Sequence, residues 1–268
     1  MLNSQVRIKS IKTAKTIGVS IDNIRNFELN SLEGVGRGVD LVIPNVRLGK
    51  QVERVFSLLI NSSESHKVVK ENIQIIDGKI TVGELDFIIK NVKTGVLSHL
   101  EIVYKFYLYD PKYSNIELEK WIGPNRKDSF IEKFQKLRLK QFPLLFKPIT
   151  SEILSDVDIF EMKQELCFMA SLFVPFSLTN SHLPHVNNEA IVGYWLALDE
   201  FNAIIDSSWK YCLPQKSEWG IEPRNNEEWF DYYRIKDEVL ASLKRNFSPL
   251  VWIKKDEVIH EQCFIVWW

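Results

Sequence analysis

Gly83-Glu84-Leu85-Asp86-Phe87 and His99-Leu100-Glu101-Ile102-Val103-Tyr104-Lys105-Phe106 read as the two arms of one β-hairpin. Residues 80–90 and 97–109 have strand composition. Asn91-Val92-Lys93-Thr94-Gly95 between them is turn chemistry, with a glycine free to take positive φ. A hairpin symmetric about that turn sets Asp86 opposite Glu101. Side chains alternate across a strand, so Glu84, Asp86, Glu101, Val103 and Lys105 are expected on one face. Leu85, Phe87, Ile89, Ile102, Tyr104, Phe106 and Leu108 are expected on the other, as core. On the polar face three carboxylates crowd one lysine. Like charges opposed across a sheet are unfavourable, and a bound cation is the simplest reason for such a cluster to persist.

The neighbouring sequence builds outward from this hairpin. Val68–Ile76 and Lys79–Ile89, joined by Asp77-Gly78, form a second hairpin signal. Leu48, Val52, Val55, Phe56 and Leu59 have the spacing of an amphipathic helix, with Glu53 beside its apolar stripe. After Tyr109 and a loop containing Trp121-Ile122-Gly123-Pro124-Asn125, the spacing of Phe130, Ile131, Phe134 and Leu137 predicts a helix over 126–141. Its polar side is basic: Arg126, Lys127, Lys133, Lys136, Arg138 and Lys140 against Asp128 and Glu132 give 6 − 2 = +4. Such a face is either solvated lysine or a place for a phosphate backbone, with Arg126 and Lys133 as candidate contacts. Pro143 and Pro148 mark a boundary near residue 150.

Carboxylates that converge on one point suit Mg²⁺ or Mn²⁺, hard ions that take oxygen ligands. Such an ion activates water and neutralises charge on a phosphoryl oxygen, and a lysine on the same face adds a point charge for the transition state. Glu84, Asp86, Glu101 and Lys105 therefore form a chemically complete set for phosphodiester hydrolysis. The same residues also read as a surface ion-pair network around Lys105, each pair worth about 1 kcal/mol or less.

The order helix, strand, strand with Asp, strand with Glu and Lys, then helix resembles the PD-(D/E)XK nuclease-like superfamily. The strings 83–87, 101–108 and 121–126 look more specifically like a bacterial domain-of-unknown-function family assigned to that superfamily, the likeness being good over about 45–145. The resemblance implies a restriction endonuclease-like core: an α/β (α+β mixed) fold with a central mixed sheet flanked by helices. It implies that Asp86 and Glu101 are metal ligands, that Lys105 is the catalytic lysine and that Glu53 adds a carboxylate. In the usual motif the lysine stands two residues after the acid. Here that position is Val103, and Lys105 lies four residues on, about 7 Å along the strand.

The rest of the chain sets the background. It has 268 residues, 34 Lys+Arg against 35 Asp+Glu and a formal net charge of -1, so any pull on a polyanion must come from local patches. The 45% hydrophobic fraction excludes a disordered chain. No apolar run is long enough to span a bilayer, and no signal-peptide core is present, which predicts a cytoplasmic protein without a membrane partner. Cys167, Cys212 and Cys263 are widely spaced and read as buried free thiols, not as a zinc site. His182 and His185 read as loop residues. Gly34-Val35-Gly36-Arg37-Gly38 lacks the Gly-Lys-Ser/Thr ending of a phosphate loop and reads as a connector. Residues 1–45, with β-branched stretches at Val6–Ile11 and Ile17–Ile21, form an N-terminal extension, and 46–150 form the core. Residues 151–268, with seven of the eight tryptophans, are an aromatic-rich α+β extension packed on or continuous with it.

The expectation is a Mg²⁺- or Mn²⁺-dependent nuclease acting on DNA or RNA. Asp86, Glu101 and Lys105 are its catalytic residues, and Asp86, Glu101, Glu84 and Glu53 its metal ligands. The alternatives are a catalytically inactive module of the same fold that binds nucleic acid or protein, and a carboxylate-pair glycosidase.

Overall fold

The computed structural model describes residues 4–33 and 46–268, so the glycine-rich stretch 34–38 lies outside the described residues. The elements run α1 (Ser4–Thr13), β1 (Arg25–Asn26), α2 (Leu48–Ser62), β2 (His66–Asp77), β3 (Ile80–Asn91), β4 (Leu97–Tyr109), β5 (Trp121–Ile122) and α3 (Phe130–Lys136). A π-helical turn (Leu137–Gln141) then leads into α4 (Phe142–Leu144) and α5 (Pro148–Ile153). The chain ends with β6 (Lys163–Pro175), β7 (Ile191–Ala197), α6 (Leu198–Ile204), β8 (Lys210–Cys212), α7 (Tyr232–Lys244), β9 (Leu250–Lys254) and β10 (His260–Val266).

One mixed sheet takes in every strand among the described residues, in the order β2-β3-β4-β6-β7-β10-β9-β8, with β5 beside β4 and β1 beside β6. The β2-β3-β4 end is antiparallel and follows from its two hairpins; Gly78 and Gly95 take φ of +60° and +75° at their turns. The middle is parallel. β6 lies along β4 from Ser98↔Lys163 to Leu108↔Phe173, and continuing through β7 to β10 the direction is kept. A parallel strand covered on both faces needs no polar alternation, which is why Leu166–Val174 is an almost unbroken apolar run and is buried throughout. The sheet is therefore continuous across residue 150.

The helices cover the sheet on both sides. Val52, Val55, Phe56, Leu59 and Ile60 of α2 pack on Phe87, Ile89, Leu100 and Ile102. On the opposite face Phe130, Leu137 and Phe142 pack on Val103, Tyr107 and Phe168. The β-branched stretch Val6–Ile11 lies within α1, where Ile8 and Ile11 pack against the α2 cluster. Arg7 of α1 is buried and donates to Gln51 Oε1 and to the Ser217 carbonyl, each at 2.9 Å. Cys167 and Cys263 are buried thiols and Cys212 is half-buried. His182 and His185 are exposed loop residues. No helix among the described residues is long and apolar enough to cross a membrane.

The tightest backbone approach in the parallel region is at Gly193, where a Cβ would meet the Gln262 carbonyl oxygen at 2.2 Å and Phe173 Cε1 at 2.8 Å. Gly193→Ala is expected to cost about 1–3 kcal/mol, as overpacking does. A denaturant midpoint unchanged from the parent would show that β7 can move aside.

Candidate functional site

The hairpin register is the symmetric one, with Phe87↔Leu100, Ile88↔His99, Ile89↔Ser98 and Lys90↔Leu97 paired. Backbone pairing stops at Phe87↔Leu100, one step short of Asp86 and Glu101. Beyond that point the side chains replace the ladder. Asp86 Oδ2 accepts the Ile102 amide at 2.9 Å, and Glu101 Oε1 accepts the Asp86 amide at 3.4 Å. The two carboxylates thus hold the strands together where the strands themselves part.

The alternation of side chains also breaks here, which corrects the expected face assignment. Phe87 and Ile89 pack on α2, but Leu85 and Ile88, three residues apart, both pack with Leu144 and Leu145 on the other side. Asp86 therefore sits where the strand turns over by one residue. On β2 the opposing position is Asn72, which has a φ of +52° and is missing from the Ile73↔Leu85 and Glu71↔Phe87 pairing. Glu84 reaches toward α2. There Lys50 Nζ lies 4.0 Å from Glu84 Oε1, is 3.2 Å from Asn72 Oδ1 and pairs with Glu53. Lys50, Glu53, Asn72 and Glu84 line a groove of about 720 Å³.

Glu101 is almost fully buried and is fixed by a chain of polar groups. His99, wholly buried on the same strand face, has Nε2 at 2.8 Å from Glu101 Oε1. Gln164 Nε2 donates to His99 Nδ1 at 3.2 Å and to the Phe142 carbonyl at 2.8 Å. With Nδ1 accepting, Nε2 carries the proton and donates to the carboxylate. Asp86 Oδ1 and Glu101 Oε2 are left without a protein hydrogen bond among the described residues.

Burial, and then the charge of Glu101, push the Asp86 carboxyl up to about 8, against the small pull of the Ile102 amide and of Lys133. Two cations lie within the field of this pair, Lys133 on α3 and Lys50 on α2, the latter drawn first to Glu53 and then also to Glu84 and Asp86. Burial holds the Lys133 ammonium below the usual lysine range, while Asp86 and Glu101 act in the opposite direction. α3 is anchored by a capping box in which Ser129 and Glu132 exchange hydrogen bonds, and by Phe130 and Phe134 against the sheet. Lys105 is turned elsewhere and pairs with Asp128 at 2.7 Å. Arg126, at a φ of +54°, pairs with Asp110 and stacks 4.0 Å from the centroid of the Trp268 ring.

Both unbonded oxygens near Asp86 and Glu101 are hard donors, suited to an ion that keeps several of its own waters. Among the described residues no three His, Cys, Asp or Glu side chains gather to hold a metal. His99, Gln164, Lys50 and Gln141 escaped the reading of the sequence. His99 could have been found, two residues before Glu101 and so on its face. Gln164 could not, because its contact depends on the parallel β4–β6 pairing.

Residues 25–266 match the family described as a domain of unknown function, DUF1853. The chain belongs to that family. The match runs from the first residue of β1 to the last of β10, so the C-terminal strands are as much a part of the family unit as the acidic hairpin. No curated protein and no solved structure matches the chain.

A carboxyl raised from its ordinary 3.8 to about 8 keeps its proton when folded while the unfolded chain gives its own up. The native state then binds more protons between those values, and stability falls as pH rises through that window. Asp86→Asn mimics the protonated form and can still accept the Ile102 amide. Its thermal midpoint is expected to match the parent near pH 4 and to exceed it by pH 8; equal midpoints throughout would mean that Asp86 ionises freely.

Proposed function

We propose that this chain is a metal-dependent nuclease with a restriction endonuclease-like core. The observation that carries the reading is the Asp86–Glu101 pair, two carboxylates each hydrogen-bonded to the strand opposite where β3 and β4 separate, with burial and the charge of Glu101 pushing the Asp86 carboxyl up. A divalent cation relieves that repulsion. Asp86 and Glu101 would hold Mg²⁺ or Mn²⁺, which supplies an activated water and a positive charge beside the scissile phosphate. The order α2, β2, β3, β4, α3, β6, with an antiparallel hairpin continuing into a parallel strand, supports the fold class.

The roles of the protein groups follow from their positions. His99 and Gln164 fix Glu101 and so set where its free oxygen points. Lys133 is the positive charge placed against both carboxylates, and it takes the part that the sequence motif gives to Lys105. Glu53 and Glu84 face the groove through Lys50 and support the site from the α2 side. A cytoplasmic setting and a nucleic-acid partner belong to the same proposal. The inactive-module reading draws on Lys105, since its bond to Asp128 takes the expected catalytic lysine out of the site.

Titration calorimetry with Mn²⁺ is expected to show binding that Asp86→Ala and Glu101→Gln abolish. In a cleavage assay on single-stranded and duplex DNA and RNA, Lys133→Met is expected to lose about 100-fold or more in rate, the scale of one electrostatic stabiliser. Lys105→Met is expected to lose less than about 10-fold on the same scale. Mn²⁺ binding without cleavage would favour the inactive module, and no Mn²⁺ binding would remove the basis of the proposal.

A further inference from the structure

We infer that the surface made by the π-helical turn, α4 and the loop over 154–162 binds single-stranded nucleic acid, with Phe146 and Phe160 as a base-stacking platform. The inference deepens the nuclease reading and rests on it. Phe160 is 74% exposed and Phe146 45%, and their rings lie against each other with centroids 6.2 Å apart and planes 26° apart. The core beneath is already closed by Leu144, Leu145, Leu154 and Ile159. Fold stability therefore does not account for two large rings left in water.

Charge identifies the occupant. Residues 133–151 contain five cations and no carboxylate. Lys136, Arg138, Lys140 and Lys147 are exposed and make no ion pair among the described residues. Of the acids in α5 and the following loop, Asp156 is tied to Lys70 at 2.9 Å and Asp158 accepts the Phe160 amide at 2.9 Å, while Glu152 and Glu161 stay exposed. Aromatic faces beside unpaired cations match a strand of phosphates with free bases. A duplex keeps its base faces stacked inside, beyond the reach of such a platform.

The surface is joined to the acidic pair. Gln141 donates to the Glu84 carbonyl, Leu144 packs over Gly83, and the same helical segment carries Lys133, whose charge interacts with Asp86 and Glu101. A strand stacked on Phe160 and tracking these cations is led toward the carboxylates.

The test is fluorescence anisotropy of labelled oligo(dT) and of a labelled duplex, in EDTA so that nothing is cut. Single strands are expected to bind more tightly than duplex, and Phe160→Ala to weaken oligo(dT) by about 5- to 150-fold, the range of one stacking contact. Lys147→Ala is expected to lower the slope of affinity against salt by about 0.7. Phe160 is exposed, so its variant should melt with the parent, and Phe146→Ala gives a second reading. Unchanged oligo(dT) affinity in both variants, or no oligo(dT) binding, overturns the inference. So does a Phe160→Ala effect confined to self-association or to binding of phosphatidylglycerol vesicles. A parallel Mn²⁺ titration separates the two claims. Mn²⁺ binding with silent phenylalanine variants sinks the surface alone, and stacking-dependent oligo(dT) binding without Mn²⁺ sinks the nuclease reading alone.

Discussion

Two side-chain carboxylates take over from backbone hydrogen bonds where β3 and β4 part. Asp86 accepts the Ile102 amide and Glu101 accepts the Asp86 amide, so each acid is held by the strand opposite. Asp86 is drawn into a poorly solvated place, where burial and then the charge of Glu101 raise the cost of ionising it. The rest of the site surrounds this pair: a buried histidine against Glu101, a half-buried lysine from α3, and Lys50 of α2, which draws Glu53 and Glu84 and also feels Asp86.

The larger sheet explains how the pair is held still. Gln164 belongs to β6, and its position against His99 is set by eleven consecutive parallel pairs from Ser98↔Lys163 to Leu108↔Phe173. Its second hydrogen bond goes to the carbonyl of Phe142 in α4. Glu101 is thus oriented through three elements of the fold, β4, α4 and β6, two of them in the C-terminal half. Arg126 has a comparable part, stacked on Trp268 and paired with Asp110. It ties the end of the chain to the loop before α3.

Local elements with strong periodicity were legible in the sequence. Helix α2, both hairpins and the turn glycines stand where the patterns put them, and the register that opposes Asp86 to Glu101 followed from turn symmetry alone. The strict alternation of β3 did not hold. Period 2 assumes a regular pleat, and the left-handed Asn72 on the neighbouring strand has no distinctive signal in one sequence. The long-range contacts were equally hidden: Lys133 approaches the carboxylates, and Lys105 turns to Asp128, because of how α3 lies on the sheet. That placement depends on Phe130 and Phe134 packing across it.

The central claim is that a divalent cation belongs between Asp86 and Glu101. Anomalous diffraction from crystals soaked in Mn²⁺ tests it most directly. The account predicts a single strong peak roughly 2.1 Å from an oxygen of each carboxylate, the distance of octahedral oxygen coordination by a small hard cation. Carboxylates hydrogen-bonded to each other through a shared proton, with no peak between them at saturating Mn²⁺, would contradict it.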